Sequence, residues 1–399
     1  MGKIFKLERY RLLNIRQKII SIIFSACIFS WFLAPFSAYY VSNMEVYLSI
    51  LSFAMLLLIG KGMINKYYMG ISIKYSLSCL FIIAIPVFIY GDLPFVSIVA
   101  KLLFAFGFIS LTSNMKWSIY ELFGNFLIII LFFGIIEFSL SFLGIYYFWT
   151  TVYRDTTLFY QGFFCLIPGS FFNGGYRFES LCEEPGLLGT VCFFFLITLD
   201  VKKHKFHYII FLVAGILSFS LGFYVIMGMW LISKVRSFSF IGLIIAVASF
   251  LIVFQFFGSI FEERIVQRVT EKDSLSAVDN RTNDVVDSKF AEIYEDGRIY
   301  YGLGNRSFYE WQAKTGGVSA GAKNFILQYG LIGLVILVIS FSFLILKVRG
   351  VKKETFLILA FVWISFYKSN MWNNPNVLLP LLCIQLPLAT KLYRKKSCS

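Results

Sequence analysis

The chain has 399 residues, is 58% hydrophobic and contains 47 phenylalanines, with a mean hydropathy of +0.76. That is more apolar surface than a soluble core can bury, so composition excludes a soluble globular protein and fits a polytopic membrane protein. The formal net charge is +14, but its placement along the chain leaves no excess for nucleic acid. Seven cysteines without a C-x-x-C pair, and only two histidines, argue against a structural zinc site.

The chain opens with a basic stretch (Lys3, Lys6, Arg9, Arg11, Arg16, Lys18), followed by an apolar run over 19–41. That run is too long for the core of a cleaved signal peptide and is read as a first membrane helix. Further apolar runs fall at roughly 46–60, 75–91, 95–112, 120–143, 186–200, 206–219, 221–233, 238–258, 322–346, 355–369 and 376–391. Most are near the ~17–25 residues that cross a bilayer as helix. The stretch 206–233 is long for one crossing and short for two. Two short passes, or a re-entrant hairpin, about Ser218-Phe-Ser-Leu-Gly222 would put every basic connector on one side. That side then carries 23 of the 36 Lys and Arg, with only Glu8, Glu121, Asp200 and Glu354 as acids. By the positive-inside rule it is the cytoplasmic side. The expectation is an all-α integral membrane protein, one polytopic domain over 1–399, with about twelve transmembrane helices and both termini cytoplasmic. The positive charge is then a topology signal and an attraction to anionic lipid.

Two outer connectors are long. The first, 144–185, is aromatic and glycine-rich (Tyr146, Tyr147, Trp149, Tyr153, Tyr160, Phe171, Phe172, Gly174, Gly175, Tyr176). Such aromatics sit at membrane interfaces, and their flat faces also stack on sugar rings. Cys165 and Cys182 lie in it, and an oxidising outer compartment would permit a disulfide between them. The second, 259–321, holds eight basic and eleven acidic residues. Val286, Phe290 and Ile293 recur at helical spacing, which predicts an amphipathic helix over about 281–295 lying on the membrane face. Asp279 or Asn280 would stand near its cap and Gly297 would stop it. Tyr300-Tyr-Gly-Leu-Gly-Asn305 reads as a turn. Lys101 and Glu137 fall inside predicted spans, where ionisable residues are functional by default or pair with each other. Trp372-Asn-Asn-Pro-Asn376 reads as a polar outer turn.

The densest chemistry lies in Arg177-Phe-Glu-Ser-Leu-Cys-Glu-Glu-Pro-Gly-Leu-Leu-Gly189. Pro185 suits a first helical turn, where its missing N–H is not needed. Glu183 and Glu184 would then stand at the positive end of the helix dipole. That structural reason leaves Arg177 unexplained.

Arg177, Ser180, Glu184-Pro185 and Gly189 resemble the "R-x-x-S…E-P-x-x-x-G" signature of Wzy-type O-antigen and capsular polysaccharide polymerases, relatives of the O-antigen ligases. Four later segments resemble the same superfamily in order. They are Ser218-Phe-Ser-Leu-Gly222, Asn280-Arg281, Gly302-Leu-Gly304 ("G-x-G") and Lys323-Asn-Phe-Ile-Leu-Gln-Tyr-Gly-Leu-Ile-Gly333. The last resembles the "H-N…L…G-x-x-G" of that superfamily with Lys323 in place of His, which weighs against the ligase. His204 and His207 fall in a predicted cytoplasmic loop and do not replace it.

The resemblance implies a GT-C-like helical fold in the bacterial inner membrane, with 144–185 and 259–321 as periplasmic loops. It also implies a glycosyltransferase that joins oligosaccharide units carried on undecaprenyl pyrophosphate. Arginine forks suit a pyrophosphate and stay charged near lipid. On this reading Arg177 and Arg281 form the clamp, and Arg306 and Lys323 support it. Glu184 is the first candidate for a general base, with Glu179 and Glu183 behind it. No metal or cofactor is called for if cations neutralise the charge. A chain-length-determining co-polymerase is the partner such a protein would have. The alternatives are an O-antigen ligase acting on lipid A-core and, in a different class, a flippase for the lipid-linked unit. No internal repeat of the kind common in transporters is visible.

Overall fold

A computed structural model describes residues 8–32, 44–92, 96–145, 150–154, 157–168, 178, 180–182, 185–199, 204–220, 222–224, 227–228, 284–315 and 321–349, with 355, 356, 359 and 363. The chain divides into two compact units, one of residues 125–278 and one of 2–124 with 279–399.

In the discontinuous unit a short turn, α1 (Glu8–Arg11), precedes α2 (Ile15–Phe32), α3 (Met44–Ile59), α4 (Lys66–Tyr90) and α5 (Val96–Ser110). Its later half supplies α9 (Asp284–Glu295), a 3-10 turn (Arg298–Tyr300), α10 (Asn305–Thr315) and α11 (Gly321–Arg349). The long helices pack side by side in the order α2, α3, α5, α4, α11. Gly107 of α5 makes this approach close: a Cβ there would lie 3.2 Å from the Phe24 ring and 3.4 Å from Leu56. Phe24 in turn packs on Phe104 at 5.3 Å between ring centres, and both are buried. Helix α4 starts where Asn65 caps it, its side chain accepting the amides of Tyr67 (2.9 Å) and Tyr68 (3.3 Å). It ends at Gly91 in the left-handed conformation, φ 68°. The connectors before α4 and after α5 pair through Ile64 and Leu111. Beside them Lys116 is buried, its ammonium 3.7 Å from the centre of the Tyr68 ring.

Helix α6 (Ser113–Phe142) begins in this unit and ends in the other. The second unit continues with three short antiparallel strands in the order β1 (Thr150–Arg154), β2 (Thr157–Gln161), β3 (Leu166–Pro168). Register is set by Thr150 opposite Gln161 and Phe159 opposite Pro168. The sheet departs from the all-α expectation and lies within the first long connector. Its Thr-, Val- and Tyr-rich strands fit a pleated surface as well as they fit an interfacial belt. Helix α7 (Pro185–Thr198) opens on Pro185 as the sequence predicts, and α8 (Lys205–Leu217) packs on it through stacked Phe195 and Phe211, 4.4 Å apart. At ~1.5 Å per residue, the 13 residues of α8 rise about 20 Å, short of a ~30 Å hydrocarbon layer. The chain turns after it at Ser218.

The expected apolar runs between 46 and 219, and that at 322–346, coincide with helices, as does the part of the run 19–41 that is described, up to Phe32. Those at 221–233, 238–258, 355–369 and 376–391 lie wholly or mostly outside the described residues. Among the described residues three helices are long and apolar enough to cross a membrane: Lys66–Tyr90, Ser113–Ser141 and Gly321–Val348. Four shorter described helices are also apolar. Leu57, Leu58, Phe88, Val335 and Ile339 stand more than half exposed on these helices. A soluble protein does not present such faces to water; lipid covers them without cost. The chain is a membrane-embedded helical protein.

Candidate functional site

The motif that begins at Arg177 is tied down by three other parts of its unit. Phe178 donates its amide to the Leu217 carbonyl at 2.9 Å, and its ring packs edge-on against Phe138 of α6, 5.3 Å between centres. Ser180 is buried and its hydroxyl donates to the Phe164 carbonyl at 3.0 Å. Phe164 belongs to the turn between β2 and β3. The amides of Phe163 and Phe164 donate to the carboxylate of Glu137, at 3.1 and 2.9 Å. Gly134, one turn earlier on α6, makes room: a Cβ there would lie 2.8 Å from the Phe164 carbonyl oxygen and 3.2 Å from the Ser180 hydroxyl.

The other end of the motif meets the turn after α8. A Cβ on Gly189 would lie 3.0 Å from the Cβ atoms of Ser220 and Phe223 and 3.1 Å from the Ser218 hydroxyl. Two stretches recognised separately in the sequence therefore touch. Ser180 (φ 54°) and Phe219 (φ 44°) are the non-glycine residues with left-handed backbone among those described. Each costs roughly 1–2 kcal/mol, and one sits in each of the two touching stretches. Strain of this kind concentrates where a chain is held in a required shape.

The discontinuous unit brings together another pair of stretches. Helix α11 is interrupted at Gly330, φ 75° and ψ 176°. The carbonyls of Leu327 and Gln328, which would serve Leu331 and Ile332 in a continuous helix, accept the amides of Leu303 (2.7 Å) and Gly304 (3.2 Å). Contact is backbone on backbone. A Cβ at Gly302 would lie 2.6 Å from the Gln328 carbonyl and 2.7 Å from the Gly330 nitrogen, and one at Gly330 would collide with the Tyr300 carbonyl. The Tyr90 hydroxyl donates to the Gly302 carbonyl at 2.6 Å, and Asp92 accepts the Arg306 amide at 3.1 Å, capping α10. Gln328 donates to Asn305 at 2.7 Å, both side chains buried. Helix α9 buries Val286 and Ile293 against Ile299, Leu303, Phe308, Ile326 and Leu327. Its apolar stripe, expected on the membrane face, is thus covered by the protein's own chain. Gly297 ends the helix region as expected, at φ 75°.

Of the residues chosen from sequence, Arg177, Glu179, Glu183, Glu184 and Arg281 lie outside the described residues. Arg306 is exposed on α10 and bridges to Glu310 at 2.9 Å. Lys323 bridges to Asp287 at 2.8 Å, joining α9 to the start of α11. Glu137 binds backbone amides, where the sequence suggested a function or a lysine partner. Cys165 and Cys182 are buried and form no disulfide. Sequence reading missed Tyr90 and Asp92; the signal was their place either side of Gly91, a helix-ending glycine. Among the described residues no group of three or more His, Cys, Asp or Glu is placed to hold a metal ion.

Several described charges beyond the spans are paired. Arg298 donates to Asp296 and, at 2.9 Å, to Glu292, which also accepts from Lys289 at 2.7 Å. Hydrogen bonds from Lys289 and then Arg298 hold the Glu292 carboxyl below its ordinary range, and those from Arg298 do the same for Asp296.

The sequence matches no protein-family model, and neither curated proteins nor solved structures give a match.

Two outcomes are expected. Gly330→Ala places a side chain where only glycine fits and costs on the order of 1–3 kcal/mol from the backbone alone. The thermal midpoint of the purified protein should fall, while Gly70→Ala, with open space around it, should hold or raise it. Depressed carboxyls stabilise above their unfolded pKa and lose that contribution as pH falls through the folded value. The midpoint should therefore drop below about pH 4, and Arg298→Gln should shrink that acid sensitivity.

Proposed function

We propose that this chain is a polysaccharide polymerase of the bacterial inner membrane, a metal-independent glycosyltransferase acting on undecaprenyl-pyrophosphate-linked oligosaccharides at the periplasmic face. The observation that supports it is the pairing of stretches chosen from resemblance alone. Phe178 and Gly189 meet Leu217, Ser218, Ser220 and Phe223, and Gly302 and Gly304 meet Gln328 and Gly330. Residues tens of positions apart that were selected together are also folded together.

In the reaction an acceptor hydroxyl oxygen of one unit attacks the anomeric carbon of the other. The new glycosidic bond forms as the bond from that carbon to the pyrophosphate oxygen breaks. The hydroxyl proton passes to a carboxylate, first Glu184, with Glu179 and Glu183 as alternatives. Lipid pyrophosphate leaves with its charge held by Arg177 and Arg281. Lys323 and Arg306 support the clamp from a distance, because each already holds a carboxylate. Both termini lie in the cytoplasm, twelve helices cross the membrane in a GT-C-like arrangement, and a chain-length-determining co-polymerase is the fitting partner.

A flippase is the second reading. The break in α11 at Gly330 favours it, since interrupted helices line transport sites. The carbonyls exposed by that break, however, are taken by Leu303 and Gly304.

Surface polysaccharide from a deletion strain separates these readings on a gel. Core bearing a single repeat unit supports the polymerase. Long polymer left on its carrier with bare core indicates the ligase, and no repeat reaching the outer face indicates the flippase. Arg177→Ala and Arg281→Ala should each abolish polymer at normal membrane levels of protein; full polymer from either removes the clamp.

A further inference from the structure

Glu137 is an acid inside the apolar helix α6, and such a residue needs a reason. A carboxylate in an apolar setting must be satisfied, by a cation or by donors. Here the donors are backbone amides. Phe163 gives one to Oε1 at 3.1 Å and Phe164 one to Oε2 at 2.9 Å. Both oxygens are engaged, so the carboxylate grips the β2–β3 turn from two sides. The Gly162 amide closes that turn on the Cys165 carbonyl at 2.8 Å. Stacking of Phe133 on Phe164, 5.3 Å between centres, adds an apolar contact from the same helix.

The gripped turn then holds something else. Its Phe164 carbonyl receives the Ser180 hydroxyl. Ser180 has a left-handed backbone that an ordinary side chain adopts only when held there. One helix turn before Glu137, the missing Cβ of Gly134 opens the space in which Phe164 and Ser180 meet. The path runs from Glu137 through two amides to Phe164, then through its carbonyl to Ser180. In sequence, Ser180 follows Glu179 and precedes Glu183 and Glu184 by three and four positions.

We propose that Glu137 is a positioning residue for the polymerase site. It touches no substrate; it fixes the β2–β3 turn and through it Ser180, which stands next in sequence to the candidate Glu179. The proposal rests on the polymerase reading for its functional half, while the tether itself does not.

Gln at this position is a sharp probe. It keeps the shape but turns one acceptor into an NH₂ group that faces amide donors. Gly134→Ala is a second, independent probe, because it pushes the Phe164 carbonyl away while leaving Glu137 intact. The test uses full-length protein in native membranes, with Glu137→Gln, Glu137→Ala and Gly134→Ala beside the parent. N-ethylmaleimide reactivity is read cysteine by cysteine by peptide mass spectrometry. Cys165 and Cys182, which flank the tether, are buried, as are Cys27, Cys79 and Cys192 away from it.

The expected result is a rise in reactivity on the order of tenfold or more at Cys165 and Cys182, with Cys27 and Cys79 still protected. With lipid-linked oligosaccharide as substrate, kcat should fall on the order of a hundredfold while KM and the pH profile hold, since Glu137 carries no reacting proton. Unchanged thiols overturn the tether. A rise at Cys27 and Cys79 as well would make Glu137 a residue of the general fold and overturn positioning, as would reactive thiols with full polymer synthesis. Should parent membranes elongate no substrate, the polymerase reading and the positioning role both fall, and the thiol data still decide the tether separately.

Discussion

A backbone amide or carbonyl left unpaired in hydrocarbon is too costly to persist, and this constraint organises the irregular parts of the protein. Where α11 breaks, the carbonyls of Leu327 and Gln328 are taken by Leu303 and Gly304. Where the chain loops back beside α6, the amides of Phe163 and Phe164 are taken by Glu137. Phe178 gives its amide to Leu217 at the end of α8, and Tyr90 gives its hydroxyl to the Gly302 carbonyl. Non-helical segments are held by bonds to helices, and those bonds decide which parts of the sequence meet.

Glycine makes these bonds reachable. At Gly302 and Gly330 two backbones approach so closely that neither tolerates a Cβ, and both carry positive φ. Gly134 and Gly189 do the same work on α6 and α7 without a special conformation, simply by leaving a gap. In one unit the gap admits a carbonyl and a serine hydroxyl; in the other a backbone docks into a broken helix. The charged side chains of 284–315 are mostly spent on each other, as Arg298, Asp296, Glu292 and Lys289 are.

Much of the helical frame was legible in the sequence, because hydropathy over a span needs no knowledge of partners. The run at 75–91 was seen, but its helix starts at Lys66, since Asn65 caps a polar first turn that hydropathy discounts. Helix α9 and its stop at Gly297 followed from spacing and a glycine; what covers its apolar stripe did not, because the answer lies in Leu327 and Phe308 far along the chain. The small sheet went unread because its strands are short and their aromatics also suit an interface. Glu137 was noticed but its partners were not, since a backbone amide leaves no mark in a sequence. Gly330 was matched as a motif position, yet nothing local distinguishes a helix-breaking glycine from a packing one. Five of the seven residues chosen for chemistry lie outside the described residues, so their selection still rests on resemblance.

Purified protein in lipid bilayers, supplied with a repeat unit on undecaprenyl pyrophosphate and no metal, provides the most direct check. The polymerase reading predicts a ladder of lipid-linked products that each differ by one repeat, with free carrier released at every step. A carrier-linked unit that stays a single repeat while crossing from one leaflet to the other would contradict it and identify a transporter.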